Sequence, residues 1–191
     1  MQNTTIKLLL LKEAKPFIET WHYSKKVPTG KNIFFGWFYF DTLYAVADYG
    51  IGVNSYQAKF LQKITKKPVS NSNFLELKRL CRTEPKNENL YLTQFLSLCH
   101  KELKKMGYKY VVSFSDPEQN HNGGIYKAAN FKHLGKTNPE IHVIDENGIK
   151  RHRKYPYRYS QRKNISIQEA RKILKLTRIK TCPKDRWFIE I

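Results

Sequence analysis

The stretch from Leu92 to Ser115 leaves the chain few ways to fold. Leu92, Phe95, Leu96, Cys99, Leu103 and Met106 recur at helical spacing, and Gly107 supplies the stop. The apolar run Tyr108 to Ser115 follows directly and ends in Asp116-Pro117, which is the length and boundary of a buried strand. Upstream, Ile33–Phe40 and Leu43–Tyr49 are aromatic and β-branched, with Asp41-Thr42 between them as a two-residue hairpin turn. Ile6–Leu11 reads as a fully buried strand, and Lys12–Tyr23 as an amphipathic helix carrying Phe17, Ile18 and Trp21. Residues 50–72 read as polar and irregular around a short helix at Ala58–Ile64. A strand at Phe74–Cys81 follows. After Asp116 the pattern predicts a helix over Asn122–Phe131, opened by Gly123-Gly124, and a hairpin over 133–149 turning at Glu146-Asn147-Gly148. A last helix over Ile165–Leu176 has Ser166 as N-cap with Glu169 three residues later. Strands alternate with helices mainly in the second half, so the fold class is a mixed α/β sheet and not a pure Rossmann fold.

Charge narrows the partners. The 191 residues carry 35 Lys+Arg against 16 Asp+Glu, a net charge of +19. Such an excess costs self-repulsion and points to a polyanion, nucleic acid before membrane. No run approaches the roughly 20 apolar residues of a membrane span. The N-terminal MQNTTIKLLLLKEAK lacks a basic region before its apolar run and reads as a strand, not a signal peptide, so a cytoplasmic location is expected. Cys81, Cys99 and Cys182 are widely spaced, which argues against a disulfide framework or a zinc finger. Lys150 to Arg186 contains 14 Lys+Arg and 2 Asp+Glu, with Tyr155, Tyr157, Tyr159 and Trp187 within or beside it. A solvated basic tail would share that composition, but the interleaved aromatics favour contact with phosphates and bases.

Three clusters carry candidate chemistry. His22-Tyr23 ends the first helix and offers an imidazole and a phenol for acid/base work or metal binding. Ser113-Phe114-Ser115-Asp116 closes a buried strand and is followed by His121, Gly123, Gly124 and Tyr126, where open α/β sheets gather ligands. Glu76 to Asn87 leads into the strongest helix, whose exposed N–H groups with Arg79, Arg82 and Lys86 suit an anion.

These segments together resemble a known family. WHYSKKVP, the hairpin ending in DYGIG, LKRLCRTEPKNE, SFSDPEQNHNGGIYKAANFKHLG and PKDRW are similar, in order and spacing from about Phe17 to Phe188, to the Mom DNA-modification proteins of bacteriophages. The resemblance implies a GNAT-type acyltransferase fold, with a mostly antiparallel central sheet flanked by helices. It implies conversion of adenine in phage DNA to an N6-carbamoylmethyl (acetamido) derivative, which blocks restriction enzymes that read the N6 edge. His22 and Tyr23 match the family's His-Tyr motif and Asp116 the acid ending its strand. The resemblance implies catalysis by these three or a hold on Fe(II). Tyr126 falls where many GNAT enzymes place a general-acid tyrosine. Arg79 and Arg82 match the basic positions before the cofactor-facing helix, and Lys86 and Asn87 join them as cofactor-binding candidates. There, however, Arg82-Thr-Glu-Pro-Lys-Asn replaces the usual glycine-containing pyrophosphate loop, which leaves the donor, acetyl-CoA or a relative, open.

The expected organisation is a GNAT-like catalytic domain over 1–150 and a basic extension over 151–191 packed on the same domain. The expected partner is double-stranded phage DNA, gripped by Lys25, Lys26, His121, Arg151, Arg153, Lys154, Tyr157, Arg158 and Arg162, with no membrane. Monomer and homodimer are both open. The alternatives are a GNAT acetyltransferase of a protein or small amine and a non-catalytic DNA-binding protein on the same fold.

Overall fold

The computed structural model describes residues 3–51, 56–87 and 89–191, so Gly52 of DYGIG and Glu88 of LKRLCRTEPKNE lie outside the described residues. The elements are β1 (Thr4–Leu9), α1 (Leu11–Trp21), β2 (Asn32–Tyr39), β3 (Thr42–Gly50), α2 (Tyr56–Thr65), β4 (Phe74–Arg82), α3 (Leu92–Lys105), β5 (Tyr110–Ser115), α4 (Gly124–Ala128), β6 (Lys132–Lys136), β7 (Ile141–Ile144), β8 (Lys150–His152), α5 (Tyr155–Lys163), α6 (Ile167–Ile173), β9 (Thr177–Lys180) and β10 (Asp185–Glu190). They fall into two compact units. One comprises residues 1–115, 123–135 and 186–191, the other 116–122 and 136–185.

The first unit is built on a seven-stranded sheet of order β1-β2-β3-β4-β5-β10-β6. β1 to β4 run antiparallel in sequence, and β5 joins β4 in parallel. Because side chains alternate along a strand, each strand feeds two cores. Phe35, Trp37, Ala47, Tyr49, Leu77 and Val111 pack with Phe95, Leu96, Cys99 and Leu103 of α3, and Trp37 stacks on Phe95 at 5.5 Å. On the opposite parity, Phe34, Val46 and Cys81 bury Ala14 and Ile18 of α1. A third cluster joins Leu61 of α2 to Phe74, Val112 and Phe188. The aromatic hairpin is therefore core.

Three local expectations change. The first strand pairs only with β2 and is an edge strand, with Leu8 58% exposed, so it is not fully buried. The hairpin turn is Phe40-Asp41, because Tyr39 pairs with Thr42 and Phe40 adopts a φ of +50°. The segment 133–149 is not one hairpin. β6 belongs to the large sheet, and the turn at Glu146-Asn147-Gly148 joins β7 to β8 in a second sheet.

The second unit holds that sheet, of order β8-β7-β9, with α5 and α6. Asp145 organises its turn: Oδ1 accepts the N–H groups of Asn147 and Ile149 at 3.1 and 2.9 Å, and Oδ2 accepts from Arg151 Nε at 3.1 Å. α6 opens with the expected capping box. The Glu169 N–H donates to Ser166 Oγ at 3.1 Å, and the Ser166 N–H donates to the Glu169 carboxylate at 2.9 Å. Trp187, grouped by sequence with the basic tail, instead lies buried in the first unit.

Candidate active site

The site of interest forms where β4 and β5 part. Their parallel ladder ends at Leu77–Ser113, although β4 continues to Arg82 and β5 to Ser115. Ser113 Oγ donates to the Leu77 carbonyl at 2.9 Å, so its single proton is spent there. The Tyr126 hydroxyl, also 2.9 Å from Ser113 Oγ, is therefore the donor of that pair. Burial is the main reason the Tyr126 phenol is raised above its ordinary range; nearby Tyr23 and Glu76 push it the same way. Tyr126 is thus a neutral, oriented O–H at physiological pH.

Its position is fixed from β10. Trp187 Nε1 donates to Ser115 Oγ at 2.9 Å, and the indole lies 5.9 Å from the Tyr126 ring and 5.0 Å from His133. Gly123, the residue before α4, has a φ of +76°, and a Cβ there would stand 2.2 Å from the indole. Only glycine allows this approach.

α1 delivers the second pair. The buried His22 follows its last residue, and the Ser24 N–H donates to His22 Nδ1 at 3.1 Å, with Ser24 Oγ 2.8 Å from the same atom. A backbone N–H can only donate, so Nδ1 is unprotonated and the ring proton of the neutral imidazole sits on Nε2. The Tyr23 ring lies tilted beside His22 with centroids 4.3 Å apart, and the residue is 47% exposed. His22, Tyr23, Glu76, Ser113 and Tyr126 all belong to the first unit. Glu76 was not among the sequence candidates, since an acid within a strand gives no signal until β5 stands beside it.

Asp48 is a second residue that sequence reasoning passed over. It lies fully buried on β3 at a register shift against β4, and neither carboxylate oxygen has a hydrogen-bond partner among the described residues. Desolvation raises its pKa to about 7, against the opposing fields of Lys78 and Arg79 and with a smaller contribution from Glu76. The signal was available: a carboxylate inside the apolar run of β3 is rare without a reason.

The remaining candidates are placed as follows. Asp116 lies in the second unit, where it accepts the Glu118 N–H at 3.1 Å and pairs with Lys184 at 3.2 Å. His121 is exposed in the same unit and donates its N–H to the Asp116 carbonyl at 3.2 Å. Lys25 donates to the Thr20 carbonyl near the end of α1, and Lys26 is exposed. Arg79 is turned onto carbonyls, with Nε donating to Lys26 and Nη1 to Lys78 at 3.1 and 2.6 Å. Arg82 pairs with Glu84 at 3.2 Å. Lys86 is exposed.

The iron expected from the resemblance finds no seat, and the loop before α3 departs from the usual pyrophosphate cradle as its sequence implied. For iron, the Asp116 carboxylate is already met by an ammonium and an N–H, and His22 Nδ1 by Ser24. Among the described residues no group of three or more His, Cys, Asp or Glu is arranged to hold a metal ion. The residues do not fit Fe(II). For a nucleotide pyrophosphate, a cradle needs outward N–H groups between β4 and α3. Here the N–H groups of Thr83, Asn87, Asn89 and Leu90 donate inward, to Tyr44 O, Tyr44 Oη, Asn87 Oδ1 and Asn87 O, and Pro85 has none. These four N–H groups are therefore engaged within the protein.

The sheet, with its parting parallel pair, is that of GNAT acetyltransferases. A spermidine N-acetyltransferase variant from Vibrio cholerae superposes with a TM-score of 0.54 at 9% identity, over 100% of this chain and 95% of that one. The ribosomal-protein-S18-alanine N-acetyltransferase from Escherichia coli gives 0.55 at 10% identity, over 98% and 94%. An acetyltransferase-type protein from Salmonella typhimurium, solved with its cofactor acetyl-CoA, gives 0.54 at 8% identity, over 98% and 94%. No curated protein sequence matches the chain. Within the GNAT fold its place is narrower: the chain belongs to the Mom protein family, whose model matches residues 3–188. Among the described residues, no helix is long and apolar enough to cross a membrane.

Proposed function

We propose that this protein is a transferase that converts adenine N6 in double-stranded phage DNA to its carbamoylmethyl derivative, protecting the DNA from restriction. Membership of the Mom family over residues 3–188 is the observation that carries this reading. The polar cluster on the GNAT sheet supports it. The adenine leaves the stack, because its N6 is paired within the duplex. Its exocyclic nitrogen forms a bond to the carbon of an activated two-carbon donor and gives up one proton. The bond from that carbon to the donor's leaving group breaks, and the leaving group keeps the electron pair. In this reading Glu76 accepts the amine proton, the Tyr126 O–H turns from Ser113 to donate toward the leaving group, and His22 with Tyr23 positions the base. Asp116, which pairs with Lys184, is a further candidate residue.

The test is mass spectrometry of nucleosides from cells expressing the protein. Deoxyadenosine heavier by an acetamide unit is expected from the wild type. Tyr126→Phe should lower its yield by roughly 100-fold or more, and Asp116→Asn should reduce it. Unmodified DNA from a folded, well-expressed protein would overturn the reading in favour of an amine acetyltransferase or a non-catalytic DNA binder. Full modification by Asp116→Asn would remove that residue from the mechanism.

A further inference from the structure

Within the second unit, β7, β9, α5 and α6 enclose a cleft of about 430 Å³. Arg153 and Lys154 come from the residues just before α5, Arg171 from α6 and Arg178 from β9, and Tyr157 stands among them half-exposed at 51%. Val143 and Leu176 supply an apolar lining. Among the described residues, no acid lines the cleft.

The absence of an acid there contrasts with the rest of the unit. Asp145 pairs with Arg151, Glu118 with Lys150, Glu146 with Lys175 and Asp116 with Lys184. The cleft's four cations have no ion-pair partner among the described residues. Guanidinium groups stay charged at any physiological pH, so their mutual repulsion persists until an anion enters. A bare phosphate would satisfy that charge but has no use for an exposed phenol ring or an apolar lining. A nucleotide unit uses all three: phosphate on the cations, sugar on the apolar wall, base on the tyrosine.

We propose that this cleft is a nucleic-acid subsite that seats a phosphodiester of DNA, with Tyr157 as the stacking platform and Arg171 and Arg178 as phosphate ligands. Charge in the sequence suggested Arg153, Lys154 and Tyr157. Arg171 and Arg178 join them only through the packing of α6 and β9. The choice of DNA over other nucleic acid rests on the proposed function above.

The test uses the full chain and a short fluorescent DNA duplex, with affinity measured across a salt series. Arg171→Ala/Arg178→Ala should lower the slope of log affinity against log salt by about 1.8, the release expected from two phosphate contacts. Arg171→Lys/Arg178→Lys should retain the slope, which separates lost charge from lost folding. Tyr157→Ala should weaken binding roughly five- to a hundredfold with the slope unchanged. An unchanged slope in a double-alanine variant that melts like the wild type would overturn the subsite, as would a wild type that does not bind the duplex. Displacement of the duplex by coenzyme A at equal affinity in wild type, lost in the double-alanine variant, would overturn it in favour of a soluble nucleotide. The nucleoside measurement separates the two proposals: adducts with an unchanged slope sink only the subsite, and a lowered slope without adducts sinks only the chemistry.

Discussion

Asp48 shows how one buried group sets a pH dependence. Its pKa rises from 3.8 in the unfolded chain to about 7 in the fold, chiefly by desolvation. Below about pH 4 it is protonated in both states and contributes no penalty. Between the two values the folded form holds a proton that the unfolded form has released, so stability falls as pH rises, and above about pH 7 the full penalty is present. Asp48→Asn is therefore expected to gain on the wild type from pH 4 to pH 8, by on the order of 4 kcal/mol for a shift of about three units. Urea denaturation at both pH values measures it, and an equal difference at the two would show that the carboxylate is not desolvated. Buried His100 has the opposite sign: its pKa is lowered to about 4, so its neutral form loses stability as pH drops below 6.5. Residue types were legible at this scale, and His22, Tyr23 and Tyr126, singled out from the sequence, all lie in the first unit. Glu76 was not singled out, because its significance comes from a neighbouring strand more than 25 residues away in sequence, whereas Asp48 had its signal inside the apolar run of β3 and was passed over.

At the scale of elements, α4 has only five residues and depends on what holds its ends. Gly123 and Trp187 provide that hold. Gly123→Ala places a methyl group against a ring that is itself bonded to Ser115 and forces an L residue into left-handed backbone. The two effects together should cost about 2–5 kcal/mol. The loss is measurable as a lower urea midpoint, with reduced adduct formation as Tyr126 loses its station. A neutral substitution would contradict the packing. Most elements were readable from sequence because their signals are local: the stripe of α3, the aromatic runs of β2 and β3, the Ser166–Glu169 box. β10 was missed because Asp185-Arg-Trp-Phe-Ile-Glu reads as the end of a basic tail. Its identity as a strand comes from insertion between β5 and β6.

For the whole molecule, the net charge of +19 predicts a steep response to ionic strength. If the unpaired cations engage about six phosphates, affinity for duplex DNA should fall roughly a thousandfold between about 50 and 200 mM salt. Weak, salt-insensitive binding would favour the amine acetyltransferase alternative. The sequence by itself determined the mixed α/β class, the family, the basic excess and the residues of the His-Tyr and Ser-Phe-Ser-Asp segments. Each is a matter of local periodicity, composition or ordered motifs along the chain. Only the tertiary structure decided that β4 and β5 part at Ser113, that Trp187 belongs to the core and that Asp48 is stripped of water. It also decided that four cations close on one cleft. Those features depend on distance and desolvation between segments far apart in sequence, which folding sets and residue order alone does not display.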